Sequence, residues 1–173
     1  MRKGLMITAL LGAVLLVGCT PGATSPETGM ASRLQEVQRD LGVGVTVEVQ
    51  HRLKSGEELA IVSYKKKGNV CGAGVVDMGS MAGMEGDCSD PLSPAQSVDQ
   101  GVLAAYGYMV PGSAARVVLR WEDGTEAEAK LGQAAFYYIA EGDKLPRGKV
   151  SLTAYDKDGK VIHTTPTPAP HKH

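Results

Sequence analysis

One stretch of the chain can pair with itself in only one way. In RVVLRWEDGTEAEAKL, residues 116–131, Val117, Leu119 and Trp121 alternate with Arg116, Val118 and Arg120. After Glu122-Asp123-Gly124, the residues Thr125, Ala127, Ala129 and Leu131 alternate with Glu126, Glu128 and Lys130. A period of two is the mark of a strand with one buried face. A three-residue loop sets Trp121 opposite Thr125 and Leu119 opposite Ala127, so both apolar sets share a face. Gly124 then takes the left-handed position that such a loop requires. The same register opposes Arg120 and Glu126 on the wet face, a favourable cross-strand pair. A two-residue loop would bring Trp121 against Glu126 and mix the faces.

The remaining body repeats the pattern. Val43, Val45, Val47 and Val49 alternate with Gly44, Thr46, Glu48 and Gln50 and predict a half-buried strand with its valines on one face. Leu59 to Tyr64 is a second β-rich run, and Lys65-Lys66-Lys67-Gly68-Asn69 turns it into a third at Val70 to Val76. Asp77 to Ala95, aperiodic and rich in Gly, Ser, Pro and Asp, predicts a long loop. Further strands are expected over 102–110 and 133–140, and a last hairpin over 150–155 and 160–163 around Asp156-Lys157-Asp158-Gly159. The one helical period is short: Leu34, Val37 and Leu41, with Ser32 as N-cap and Gly42 as the stop. About eight short strands with turns every 8–12 residues predict an all-β fold, an antiparallel β-sandwich or small barrel with one short N-terminal helix. The helix count excludes a parallel β-α-β architecture. Residues 101–163 resemble secreted immunoglobulin-like or fibronectin-like modules in the Trp121-Glu-Asp-Gly-Thr125 hairpin and the Ala154-Tyr-Asp-Lys-Asp-Gly159 close. The Cys…Trp…Cys framework of antibody domains is missing, so the likeness is one of architecture.

The start of the chain has a different composition. Arg2 and Lys3 precede an apolar run from Leu5 to Val17, broken only by Thr8. Thirteen residues fall short of the roughly 20 a spanning helix needs, and a charged start before a short apolar core describes a secretory signal. Leu16-Val17-Gly18-Cys19 resembles the lipobox of bacterial lipoproteins, in which the signal is cut before the Cys and that thiol carries lipid. The resemblance implies a signal peptide over 1–18, lipidation at Cys19 and membrane anchorage through acyl chains such as palmitate. Two or three chains hold a protein on a membrane face where one is marginal. With Thr20 rather than Asp after the Cys, the family's sorting habit implies the outer membrane facing the periplasm, or the cell surface in a one-membrane bacterium. Residues 19–32, the Cys and a Pro-, Gly-, Ser- and Thr-rich run, read as a flexible tether, 33–163 as the folded domain, and 164–173 as a loose Pro-rich tail. Net charge is −1 before the two leader bases are removed, and charged residues are 21% of the chain, which excludes a broad basic surface for nucleic acid. A hydrophobic content of 43% excludes a wholly disordered chain.

With Cys19 committed to lipid, Cys71 and Cys88 remain, in a compartment where thiols oxidise. They have one pairing open to them. A Cys71–Cys88 disulfide closes a loop of about 17 residues and is worth roughly 3 kcal/mol in the chain-entropy account. Inside that loop Met78, Met81 and Met84 recur every third residue. Soft thioethers select Cu(I), and the spacing is similar to the methionine motifs of extracytoplasmic copper-handling proteins. The competing role for the same residues is adaptable apolar filler or a contact surface. Asp156 and Asp158 before Gly159 look like a fragment of a calcium loop, but Asp and Gly are equally what a hairpin turn needs.

Catalytic signatures are thin. The four histidines are His51, His163, His171 and His173, and no nucleophile elbow, zinc-protease helix, phosphate loop or dinucleotide fingerprint occurs. Tyr106 and Tyr108 share one face of a strand, as do Phe136 and Tyr138, leaving Tyr137 opposite. They are either core with hydroxyls at the rim or a Tyr-lined binding face for a glycan, a peptide or an envelope protein. The expected function is a lipid-anchored, non-catalytic binding or structural module of the bacterial cell envelope that uses no cofactor. The alternatives are a copper-binding accessory protein using the Met loop and an envelope hydrolase using His51 or His163.

Overall fold

A computed structural model describes residues 29–42, 44–67, 69–77, 81–82 and 91–166. The signal peptide, Cys19, Met78, Met84, Cys88, His171 and His173 lie outside the described residues. Among the described residues one helix, α1 (Met30–Leu41), precedes twelve strands. These are β1 (Gly44–Arg52), β2 (Glu58–Lys66), β3 (Asn69–Asp77), β4 (Met81–Ala82), β5 (Ala95–Asp99) and β6 (Val102–Tyr108). Then come β7 (Arg116–Trp121), β8 (Glu126–Glu128), β9 (Lys130–Leu131), β10 (Ala135–Glu141), β11 (Val150–Tyr155) and β12 (Val161–Thr164).

The strands form three open antiparallel sheets: β1-β2-β3-β4, β5-β6-β10-β9 and β12-β11-β7-β8. The fold is therefore all-β and sandwich-like, but with one layer more than a two-sheet sandwich. The first sheet carries α1 on one side, where Met30 and Val37 pack with Ala60, Val62, Tyr64 and Val76. Its other side packs on the central sheet through Leu59, Ile61, Ala73 and Val75 against Ala104, Tyr106, Tyr108 and Ala135. The central sheet's far side packs on the outer sheet, where Leu103 and Phe136 meet Val117, Leu119, Trp121 and Leu152. Strands β6 and β10 are thus covered on both faces, which is why VLAAYGY at 102–108 is a nearly unbroken apolar run.

The hairpin at 116–131 forms in its expected register, with Leu119 opposite Ala127 and Arg120 opposite Glu126. Gly124 adopts φ +85°, and Trp121 N–H donates to Thr125 O at 2.9 Å. The second strand, expected to run unbroken to Leu131, instead divides at Ala129. β8 stays with β7 in the outer sheet, while β9 crosses to pair with β10 in the central sheet. That division closes one corner of the sandwich.

Two bulges overturn the simple alternation expected of the first strands. Val47 pairs with Val62 and Val49 with Ile61, so Glu48 is an extra residue in β1. The four valines therefore do not share a face: Val45 packs under α1, whereas Val49 faces the central sheet. A second bulge lies where Tyr64 pairs with Gly72 and Lys65 with Val70, placing Cys71 as the extra residue of β3. There the Tyr64 ring lies so close over Gly72 that a Cβ would collide with it.

The helix begins before the expected cap at Ser32. Gly29 is the N-cap, Met30 is 1% exposed, and so the structured domain starts inside the segment expected to be tether. Its C-terminal stop is at Gly42 as expected, with φ +61° and an N–H to Gln38 O. In the stretch expected to be a loop up to Ala95, β4 folds back on β3 and β5 begins at Ala95.

Candidate binding cleft

Where β1, β3 and β10 end and β2 and β6 begin, the first and central sheets part and leave a cleft of about 240 Å³. Its floor is apolar: Leu53 from the β1–β2 turn, Leu59 and Val75 from the first sheet, Val102 and Ala104 from β6. Its rim carries four carboxylates, Glu57, Glu58, Asp77 and Asp99, together with Ser97 and Gln100, and among the described residues no lysine, arginine or histidine.

Local turns hold these groups in place. In β5–β6, Ser97 pairs with Ala104 and Asp99 with Val102, so Ser97 and Asp99 lie on one side of β5 and Val98 on the other. The hairpin closes on Gln100 and Gly101, both at positive φ (+45° and +78°), the backbone of a tight two-residue turn. Across the cleft, Leu53 N–H donates to Glu57 O at 2.8 Å, and Gly56 at φ +94° lets the chain reverse. Arg52 reaches Glu58 at 3.2 Å, and Gln50 Nε2 donates to the same carboxylate at 3.0 Å. Among the described residues no hydrogen bond or ion pair engages the Asp99 carboxylate.

Two carboxylates outside the cleft join the sheets. Glu141, the last residue of β10, accepts the Lys54 backbone N–H at 2.7 Å and lies 3.2 Å from His51 Nε2. The Lys54 N–H first, and the His51 hydrogen bond second, hold the Glu141 carboxyl below its ordinary range. At the other end, the bulge turns Glu48 toward the central sheet. Its carboxylate accepts the Ser63 hydroxyl at 2.5 Å, the Gln133 N–H at 2.6 Å and the Ala134 N–H at 3.2 Å. Ser63 is fully buried, so this carboxylate satisfies a hydroxyl that water cannot reach.

The residues singled out from the sequence do not converge here. Tyr106, Tyr108, Phe136 and Tyr138 pair up by face as alternation required, but the two pairs point in opposite directions. Tyr106 and Tyr108 face the first sheet, and Phe136 and Tyr138 face the outer sheet. They form no common binding face: Tyr106, Tyr108 and Phe136 are buried, and burial raises the Tyr106 hydroxyl above its usual range. Tyr138 stacks obliquely on Trp121, 5.5 Å between ring centroids. The Asp156 carboxylate is committed to its own turn, accepting the N–H groups of Asp158 and Lys160 at 2.9 Å. Cys71 is fully buried in β3, and Met81 lies in β4 beside Val76. His51 is engaged by Glu141 and His163 stands on β12, so no described histidine lines the cleft.

Sequence reasoning missed the cleft because its parts are far apart in the chain. The hairpin turn Asp99-Gln-Gly-Val102 carried a turn signal in its Gly. β5 itself, AQSVD, has too little apolar alternation to announce a strand.

Compared with protein-family models, with curated proteins and with solved structures, the chain matches none.

Proposed function

We propose that this chain is a lipid-anchored binding module of the bacterial envelope that acts by holding a ligand and not by catalysis. The observation that carries the binding half is the cleft, where three chain segments bring together an apolar floor and a rim with four carboxylates. Concave apolar sites with a few convergent polar groups are where proteins hold small ligands. The anchor half rests on Arg2-Lys3, the apolar run and Leu16-Val17-Gly18-Cys19.

The oxidised Cys71–Cys88 pair belongs to the same reading. β4 runs antiparallel to β3, with Ala82 opposite Val75, so β4 itself points toward the Cys71 end of β3. Four strand steps lead from Val75 to Cys71, about 13 Å, and six lead from Ala82 to Cys88, enough for roughly 20 Å. Reach supports the pairing.

Labelling with a palmitate analogue tests the anchor. Wild-type protein takes the label and partitions with membranes; Cys19→Ser protein does neither. An unlabelled wild type, or a Cys19→Ser protein that stays on the membrane, overturns the proposal.

A further inference from the structure

The charge and floor of the cleft restrict what it can hold. Resting on the reading of the chain as a binding module, we propose that the cleft takes an organic cation: a primary ammonium on a short alkyl stem.

Of the four carboxylates at the opening, Glu58 is engaged by Arg52 and Gln50 and Asp77 has a partner of its own, which leaves Glu57 and Asp99 as the charges open to a ligand. An anion entering there meets like charge, and a neutral ligand gains nothing from it. A cation is attracted, and more strongly as the ligand excludes water from the rim. The floor of Leu53, Leu59, Val75, Val102 and Ala104 offers a bare metal ion no ligand atoms, and among the described residues no group of three or more acidic, His or Cys side chains is disposed to hold one. An alkyl stem uses that floor, because its methylenes leave water for apolar side chains. A volume of 240 Å³ lies just under the roughly 300–1,000 Å³ usual for drug-sized ligands, which suits a stem of four to six carbons. The same chemistry comes from two sources, a free diamine or the lysine side chain of another polypeptide.

The test is a methyl-NMR titration of the full chain in detergent, following Val75, Val102 and Ala104. The probes are 1,5-diaminopentane, Nα-acetyl-lysine amide, pentan-1-ol and pentanoate. The proposal expects saturable shifts with at least one amine and binding at least tenfold weaker for the alcohol and for pentanoate. It also expects at least a tenfold loss in Glu57→Gln/Asp99→Asn protein whose melting temperature is unchanged. Raising salt from about 50 to 500 mM weakens amine binding, because rim charges are screened. Tighter binding of the lysine amide assigns the cleft to a polypeptide side chain, and tighter binding of the diamine assigns it to a free polyamine. Amine and alcohol binding equally, a double variant that keeps its affinity, or no methyl shift with either amine each overturns the proposal. The palmitate experiment does not sense the cleft, so failure of either is told apart from failure of the other.

Discussion

The two faces of the central sheet differ in how completely they are filled. Toward the outer sheet, Leu103, Leu119, Trp121, Phe136 and Leu152 are each 1% exposed or less. Gly107 lies under the Phe136 ring, so close that only a hydrogen fits. Toward the helix-capped sheet, Tyr106 and Tyr108 close one end, while Val102 and Ala104 leave the other end open as the cleft. Large side chains on one face give stability, and small ones at the end of the other face give access.

Replacement of Phe136 by Ala should have the largest effect, about 3–5 kcal/mol of stability. Val102→Ala, on the open side, should cost no more than about 1 kcal/mol, as part of its side chain already meets solvent. Urea unfolding followed through the single tryptophan measures both; equal losses would erase the distinction between the faces. Gly107→Ala should cost about 1–3 kcal/mol, since the new methyl meets both the Phe136 ring and the Ser93 carbonyl. Gln96→Ala should cost roughly 1–2 kcal/mol in the same assay, because Gln96 Oε1 accepts the Trp121 indole N–H at 3.0 Å and its removal leaves that donor unpaired. The smallest effect belongs to Glu141. Its folded-state pKa is depressed, so its contribution is complete above its ordinary value of 4.5 and fades as pH falls through the folded value. Melting curves of wild type and Glu141→Gln should differ at pH 7 and converge only in acid below the depressed folded-state value. A difference that persists in acid would show that the Glu141 link does not act through its charge.

How far the fold could be read from the sequence followed from one-sided burial. The register of the 116–131 hairpin was legible as far as Glu128 because one face is wet and the other dry, whereas the crossing of 130–131 to the central sheet was not. The Gly42 stop and the Asp156–Gly159 turn were legible because their chemistry is local. The bulge at Glu48 was not: nothing in alternating valines announces that one residue will be extra, and its cause is a remote loop whose N–H groups the carboxylate captures. The aromatic pairs were placed on the correct strand faces. Which sheet each face meets depends on a third layer that no local pattern encodes. The cleft was illegible for the same reason, being assembled from residues 53–59, 75–77 and 97–104.

Amide hydrogen exchange tests the central claim most directly, namely that β6 and β10 form a layer buried between two cores. The account predicts that Leu103–Tyr108 and Ala135–Ile139 exchange only through global unfolding, while β1, β8 and β12, each at a sheet edge, exchange through smaller openings. Exchange of β6 and β10 as fast as that of the edge strands would contradict it.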